Sequence, residues 1–292
     1  MELREAIGRR RSIRWLLPHK PVEHHKIQRM LEAARLASSW GNVQSLRAIV
    51  IYRDEAPSEV LAALPSPVSG FQISLAPVAI VWFFDSSAVD DIATRLRELV
   101  DVGAIGYGEN KQDALEKGLI PVMSAGILFL KEPGLNDLDC GQGIAQATLM
   151  AFEQGLGTCC MGMSDPDRVR RRLGLPEHCR VLVTQTVGYP AESPEAGGQR
   201  PRPPFQSMFF LNTYGNPFPR NDEVVAELER DGMIQAQGPL PWREAELQFL
   251  QDTFGLEGNG LLEWHWKDGT GIPSDALVAE GDGHAAAGGE ED

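Results

Sequence analysis

Positive charge is scarce in this chain of 292 residues, where 27 lysines and arginines face 41 aspartates and glutamates and give a formal net charge of -14. Such a surface repels phosphate backbones and anionic lipids, which argues against a nucleic-acid or membrane partner. Long apolar runs are missing too. None approaches the roughly 20 residues that span a bilayer, and the first residues lack a secretory signal. We therefore expect a cytoplasmic protein.

Cysteine is equally scarce. The four cysteines, Cys140, Cys159, Cys160 and Cys179, form no CxxC pair. This pattern argues against a disulfide framework and a zinc site, and no other residues indicate a metal. The adjacent Cys159 and Cys160 leave two interpretations open. They form a redox pair or, as is commoner for free cysteines, they are small side chains buried in a reducing compartment.

Several enzyme signatures are also absent. The chain has no GxxxxGK[ST] loop for phosphates, no HExxH for zinc and no GxSxG for a hydrolytic serine. The sequence GQGIAQ at 141–146 is similar to a dinucleotide-binding loop. Such a loop follows a strand and opens a helix, however, and no strand is predicted before this one. The sequence therefore offers no separate dinucleotide-binding motif.

The elements that are present mix helices with strands. Residues 23–37 place apolar side chains at helical spacing and predict an amphipathic helix. Residues 46–54, 76–85 and 180–190 are rich in β-branched and aromatic side chains and predict buried strands.

Residues 139–157 predict a second long helix, with Asp139 as its N-cap. Small residues such as Gly143, Ala147 and Ala151 indicate a buried helix that lets another helix come close. Residues 164–177 predict a basic helix that begins at an Asp-Pro pair and ends at a glycine.

The remaining regions have distinct compositions. Residues 88–135 are less regular, and we expect them to form a lid or pocket wall inserted between a strand and a helix. Residues 212–272 predict a helical C-terminal extension, with helices at 222–231 and 241–255. The acidic residues 273–292 are poor in apolar side chains and predict a disordered, dispensable tail.

An arginine cluster lies near the start, where residues 9–15 have the sequence RRRSIRW. Clustered cations repel one another, so the cluster is either a solvated surface or a site for an anion. Guanidinium groups suit a phosphate because their planar fork donates two hydrogen bonds at once. Arg200 and Arg202, which follow the third predicted strand, add two further cations.

Two other segments favour a ligand site over a solvated surface. Residues 37–44 carry Asn42 and Gln44, whose amides suit the donor and acceptor edge of a heteroaromatic ring. Residues 155–162, GLGTCCMG, follow the predicted buried helix and offer backbone N–H groups to a ligand.

In this combination and order the chain resembles the FMN-dependent nitroreductase family. The matching pieces are RRSIR at 10–14, ASSWGNVQ at 37–44, DCGQGIAQATLMAFEQGLGTCCMG at 139–162, LGLPE at 173–177, VGYP at 187–190 and RPR at 200–202. The resemblance covers about residues 3–210, so the C-terminal extension has no counterpart in it.

This resemblance implies an α+β fold, a nitroreductase-like sandwich in which helices flank a central, mostly antiparallel sheet. It also implies an intertwined homodimer with FMN at the interface, and an FMN-binding domain at residues 1–211. By matching position, Arg10, Arg11 and Ser12 are implied to hold the FMN phosphate and ribityl chain. Arg200 and Arg202 are implied to close the phosphate site.

Contacts to the flavin ring follow from the resemblance in the same way. Arg14 is implied at the N1/O2 edge of the ring. The other implied contacts are Ser39, Asn42 and Gln44, with the two amides reaching the flavin of the other subunit, and the backbone at Cys160, Met161 and Gly162 beside flavin N5.

The implied function is an NAD(P)H-dependent FMN oxidoreductase that reduces nitroaromatic, quinone or activated-alkene acceptors. NAD(P)H and a small-molecule acceptor would use one pocket in turn, a ping-pong mechanism. Because FMN carries the hydride chemistry itself, no catalytic side chain is expected. Two alternatives remain open: an oxidative or dehalogenating enzyme acting on a specialised metabolite, and a non-catalytic flavin-binding protein.

Overall fold

The structure is a computed structural model that describes residues 2–65, 70–163 and 165–255. Its centre is a four-stranded sheet in the order β1-β2-β4-β3. The strands are β1 Leu46–Tyr52, β2 Val78–Asp85, β3 Gly157–Met161 and β4 Cys179–Gly188. All three neighbouring pairs are antiparallel. The predicted α+β fold with an antiparallel sheet is thereby confirmed, and so are the three predicted strands.

The helices have the following bounds: α1 Leu3–Arg9, α2 His24–Arg35, α3 Ser58–Leu61, α4 Gly70–Leu75, α5 Ile92–Asp101, α6 Lys111–Ala114, α7 Ile120–Ala125, α8 Ile127–Lys131, α9 Leu135–Glu153, α10 Pro166–Arg172, α11 Phe205–Met208, α12 Asp222–Arg230 and α13 Arg243–Phe254. Short 3₁₀ turns cover Trp40–Asn42 and Ser86–Asp91, and a π-helical turn covers Leu115–Leu119.

Helices pack on both faces of the sheet, and β2 is therefore buried on both sides. Its Ile80 and Trp82 face α2 and α9, in a core that includes Met30 of α2. Val81, one residue along the strand, packs on the opposite face with Val169 of α10. Alternation along a strand sends successive side chains to opposite faces, and here both faces meet apolar partners.

Helix α9 begins five residues earlier than predicted, at Leu135, and its N-cap is Gly134 rather than Asp139. Instead, Asp137 accepts a hydrogen bond from Gly134 N over 3.0 Å. The carboxylate of Asp139 accepts from Trp40 N over 2.6 Å and fixes a different turn. The Asp139 carboxylate thus accepts from a free N–H group of another element, the 3₁₀ turn, and not from an N–H group of α9.

The small residues of α9 allow the close approach predicted for them. A Cβ at Gly143 would lie 2.5 Å from Leu46 Cδ2 and 3.1 Å from Ala34 O of α2. Ala147 and Ala151 are fully buried on the same face. Ile144 packs against the same core but is only half-buried, because it also lines a cavity.

Residues 88–135 are more regular than predicted, since helices α5 to α8 occupy most of them. Apolar residues from α5 and from the turns around it pack against one another, with Leu96, Val100 and Leu115 buried. Other apolar side chains of this region, including Leu128 and Phe129, are exposed. Its role as a lid stays a prediction.

The two helices predicted in the C-terminal extension are present as α12 and α13. Helix α13 packs Leu250 against Trp15 and Phe71, and Leu250 is 2% exposed. Helix α12 is tied to α1 by ion pairs from Arg4 to Glu227 and Asp231. The predicted acidic tail at 273–292 lies outside the described residues.

Candidate functional site

Residues 10–15, which we call the arginine segment, lie along β3 at the edge of the sheet. Ser12 bridges to Thr158 in parallel register, and Ile13 N donates to Thr158 O over 2.9 Å. The fit is close, because a Cβ at Gly157 would lie 2.8 Å from Ile13 Cβ. The backbone pairing gives a segment of mixed polarity a fixed position beside the sheet.

The side chains of the arginine segment alternate between two sides. Ile13 and Trp15 are buried in the core, at 4% and 2% exposure. Arg10, Ser12 and Arg14 are half-buried. Extended backbone sends alternate side chains to opposite sides, so these three share the side that faces away from the core. The alternation determines which of the clustered arginines face away from the core.

Arg11 falls on the inner side and is 6% exposed. Its guanidinium donates to Gly8 O (2.6 Å), to Gly198 O (3.1 Å) and to Gln235 Oε1 (2.6 Å). The structure therefore places Arg11 as a tie between α1 and two later loops. Its implied contact with a phosphate remains a prediction, and all three of its guanidinium nitrogens already have protein acceptors.

Arg9 is set apart from the cluster by its position in α1. It is exposed and pairs with Glu5 one helical turn away, with Nη1 3.2 Å from Oε1. The arginines that are adjacent in the sequence thus have three different positions. Arg9 is on the surface of α1, Arg11 is buried, and Arg10 and Arg14 face away from the core.

A cavity of about 480 Å³, which we call the arginine cavity, lies between the arginine segment, β3 and α9. Arg10, Ser12 and Cys160 line it together with Ile144 and Thr148 of α9. Nothing stands within 4 Å of where a Cβ would be at Gly141, another lining residue, so the α9 wall is open there. The volume falls in the range of small-molecule sites, about 300–1,000 Å³.

The adjacent cysteines of β3 point to opposite sides. Cys159 is buried in the core, and Cys160 is exposed in the arginine cavity. The surrounding protein displaces water around Cys160 and raises the pKa of its thiol to about 11. Both thiols are free. At neutral pH the Cys160 thiol, which lines the cavity, is therefore protonated. A protonated thiol is unreactive, which argues against the redox-pair interpretation.

Ser39, Asn42 and Gln44 form one hydrogen-bonded turn after α2, which we call the amide turn. Gln44 Nε2 donates to Asn42 Oδ1 over 2.8 Å, and Gln44 N donates to Ser39 Oγ over 3.2 Å. Asn42 and Gln44 both adopt left-handed backbone, with φ of 56° and 53°. Residues other than glycine in that region store strain, more for Gln than for Asn, and such residues cluster at binding and active sites.

The amide turn opens onto a second cavity, also of about 480 Å³, lined by Ser39 and Gln44 together with Trp82 and Arg95. The two cavities share no lining residue. Within one chain, therefore, the structure does not bring the amide turn to the arginine cavity.

Arg200 and Arg202 lie close to the arginine segment in the folded chain. Arg200 is half-buried and donates to Ala196 O over 2.7 Å. Burial lowers its pKa, and Arg14 and Arg243 add to the effect. Arg202 is exposed and makes a hydrogen bond to Pro201 O.

The arginines form a shared positive field. Burial lowers the pKa of Arg11 first, and the repulsion of Arg200, Arg10 and Arg202 lowers it further. Charges that destabilise one another in this way gain most from an added anion. In a chain of net charge -14, this cluster is a local concentration of positive charge.

Sequence reasoning missed Glu192, which the structure places under the arginine segment. It is 3% exposed and accepts hydrogen bonds from Arg14 N and Trp15 N over 2.5 and 3.0 Å. Its second oxygen pairs with Arg243 over 2.6 Å. A signal was present: Glu192 stands close after a strand, between two prolines, in a chain that needs a counter-charge for several arginines.

One group among the described residues has the donor types of a metal site: Asp85, His178 and Cys179, whose ligand atoms lie within 4.8 Å of one another. The carboxylate of Asp85 is already engaged by Arg47 at 3.5 Å and by Ser87. Asp85 and Cys179 pair at the opposite end of β4 from the arginine cavity. This group has no connection with the candidate site.

Residues 7–105 and 130–189 match the model of the nitroreductase family. The chain belongs to the nitroreductase family. The resemblance drawn from the sequence is thereby confirmed. The match leaves residues 106–129 uncovered, within the region expected to form an insertion.

Three comparisons add detail to the family membership. The chain is 29% identical over 195 residues to an NADH dehydrogenase of Thermus thermophilus, covering 66% of this chain and 88% of that protein. It is 32% identical over 85 residues to an NADPH-dependent oxidoreductase of Staphylococcus haemolyticus, covering 28% and 34%. A protein from Exiguobacterium sibiricum described as a nitroreductase, solved in complex with FMN, superposes with a TM-score of 0.58 at 22% identity, covering 73% and 98%. This last likeness shows the fold.

None of the helices in the described residues has the length and apolar character needed to cross a membrane.

Proposed function

We propose that this chain is an FMN-dependent oxidoreductase that takes hydride from NAD(P)H and passes electrons to a nitroaromatic, quinone or activated-alkene acceptor. The observation that carries the proposal is the convergence of Arg10, Ser12 and Cys160 on one cavity, in a chain of the nitroreductase family. The FMN in the related solved structure and the NADH and NADPH in the relatives' names support the choice of cofactor and donor.

The residues fit a flavin mononucleotide on two grounds. Burial lowers the pKa of Arg11 and of Arg200, and the repulsion of neighbouring arginines lowers both further. A phosphate would relieve that repulsion, because its charge complements the guanidiniums. The open α9 wall at Gly141 and the half-buried Ile144 offer a small, apolar surface for the face of a ring.

In this proposal Arg10 and Arg202 bind the phosphate, and Ser12 binds the ribityl chain. Arg14 stabilises negative charge that develops on the ring, because a fixed cation favours the more negative state. The backbone at Cys160, Met161 and Gly162 approaches the reactive edge. Arg11 holds the segment in place. When bound, FMN supplies the hydride transfer itself.

We further propose that two copies of the chain complete each site. The amide turn opens onto a cavity separate from the arginine cavity, as expected if Asn42 and Gln44 serve the partner's flavin. Residues 205–218 also include solvent-exposed aromatic side chains, among them Tyr214 at 93% exposure and Phe209 at 48%. A second copy that covers this surface would bury it.

The proposed function is tested by the visible spectrum of the purified protein before and after NADPH or NADH. We expect flavin absorbance that NAD(P)H bleaches anaerobically, and turnover with several acceptors. Flavin absorbance that neither nucleotide changes would support a non-catalytic flavin protein. Absence of flavin, with no FMN binding on titration, would refute the proposal.

A further inference from the structure

Glu192 is the only acidic side chain in the buried core of the described residues. One of its oxygens, Oε1, accepts from two consecutive backbone groups, Arg14 N at 2.5 Å and Trp15 N at 3.0 Å. A buried carboxylate held between two N–H groups fixes the backbone that carries them. Glu192 therefore sets the position from which the Arg14 side chain starts.

The charge of Glu192 is balanced by helix α13. Arg243 Nη2 donates to Glu192 Oε2 over 2.6 Å, and Arg243 Nη1 donates to Glu246 Oε2 over 2.6 Å. Glu246 Oε1 accepts in turn from Ser193 N, also over 2.6 Å. The Arg243 and Glu192 side chains are 14% and 1% exposed, so solvent and salt screen this pair little.

Apolar contacts join the same two parts of the chain. Leu250 of α13 packs with Trp15, and the Phe254 ring lies 5.6 Å from the Trp15 ring between centroids. Helix α13 thus holds both the backbone and the ring of Trp15, next to Arg14. This helix belongs to the extension beyond the part that matches the nitroreductase family.

We infer that α13 is a clamp that positions Arg14 for the bound flavin through Arg243 and Glu192. This inference rests on the proposed function. Arg243 and Glu192 are positioning residues, since neither lines the arginine cavity and Glu192 holds the backbone of Arg14. Coupling between two sites is reciprocal. If docking of α13 favours flavin binding, flavin must stabilise the docked helix by the same factor.

The reciprocal effect is measured on the unaltered protein by hydrogen–deuterium exchange, with and without saturating FMN. The backbone amides of α13 should exchange about tenfold more slowly in the holoprotein, which is within the range typical of coupled sites. Helix α10, whose Val169 packs in a different apolar cluster from Leu250 of α13, serves as the internal reference. Protection that stops at the arginine segment and leaves α13 unchanged would overturn the clamp.

The forward effect is measured with Arg243→Gln, and Arg4→Gln is the matched control. Arg4 also joins the core to the extension, but through exposed ion pairs to α12 that do not touch Glu192. Arg243→Gln should weaken FMN and riboflavin alike, about tenfold, because the affected group faces the ring and not the phosphate. It should also lower the flavin reduction potential, a readout that a purely structural contact would not move.

The outcomes separate the two proposals. If the wild type binds no flavin, the proposed function fails and the clamp fails with it. If the wild type binds flavin, and Arg243→Gln matches Arg4→Gln in affinity and potential, the clamp alone is refuted. If Arg243→Gln does not fold, hydrogen exchange on the wild type decides.

Discussion

At the scale of the residue, the arginine cluster makes different predictions for neighbouring side chains. Arg10→Ala and Arg202→Ala should each weaken FMN about tenfold to a hundredfold, since a charge-assisted hydrogen bond contributes roughly 1.5–3 kcal/mol. Riboflavin, which lacks the phosphate, should bind both variants as it binds the wild type. Titration of the apoprotein with both flavins measures the effect.

Arg9→Ala is the matched control for that experiment, because Arg9 pairs with Glu5 on the surface of α1. Its FMN affinity should equal that of the wild type. If all three variants bind FMN equally well, the arginine cluster is a solvated surface and the phosphate assignment is wrong.

Arg14 should affect the ring rather than the phosphate. Removing a cation that stabilises negative charge on the reduced ring should lower the two-electron reduction potential in Arg14→Ala. A loss of about 1.4–3 kcal/mol corresponds to about 30–60 mV. The measurement is a spectroscopic redox titration against a reference dye. A potential that is unchanged from the wild type would place Arg14 away from the ring.

Cys140 predicts a pH dependence of stability. Burial raises the pKa of its thiol from its ordinary value near 9 to about 11. The native state therefore binds the proton more tightly than the unfolded chain. The corresponding stabilisation, about 2–3 kcal/mol, is fully present below pH 9 and is lost as the pH rises through about 11.

Cys140→Ala isolates this thiol. Its free energy of unfolding should differ from that of the wild type by a constant amount up to about pH 9. The difference should shrink between about pH 9 and 11. Denaturant unfolding across this range measures it, and lysine titration affects both proteins alike. A difference that stays constant through pH 11 would contradict the raised pKa.

How far single residues could be predicted depended on how far away their partners were in the sequence. The arginine cluster in RRRSIRW is a local pattern and was recognised from the sequence, whereas the alternation of Arg10, Ser12 and Arg14 with buried neighbours was not predicted. The position of Glu192 after a strand is a local signal, but its partner Arg243 is 51 residues away and could not be predicted from that signal. The same holds for Asp139, whose partner is 99 residues away at Trp40.

At the scale of the element, α13 should contribute to stability through one face only. Leu250→Ala should destabilise the protein by about 2–5 kcal/mol, since a buried leucine leaves a cavity against Trp15 and Phe71. Phe249 is its neighbour but is 66% exposed. Phe249→Ala should change stability by less than about 0.5 kcal/mol. Equal effects in denaturant unfolding would mean that α13 does not pack as described.

Elements were predictable where one physical pattern dominated. Strands β1, β2 and β4 are long β-branched runs, and α2 shows a clear helical period. Strand β3 was missed because GTCCM is short and has a glycine and two cysteines in place of β-branched residues. It is fixed by pairing with β4 and with Ser12, which are contacts that appear only in the folded chain.

At the scale of the whole molecule, we predict an obligate homodimer. The exposed aromatic residues of 205–218 and the separate position of the amide turn both call for a second copy. Such obligate interfaces bury more than about 2,000 Å² in total. Light scattering on the flavin-loaded protein should give twice the 32.0 kDa of one chain. A monomer that retains flavin would refute this prediction.

The pairing of the arginine segment with β3 has a consequence for chain length. Because the side chains of residues 10–15 alternate with period two, deleting one residue there would exchange the two sides. Deleting Ser12, for example, would turn Arg14 toward the core and would turn Ile13 and Trp15 toward the cavity. Deleting two residues would restore the sides. The number of residues between α1 and Leu16 can therefore change by two more easily than by one. Homologous chains that keep this arrangement should differ here by even numbers of residues.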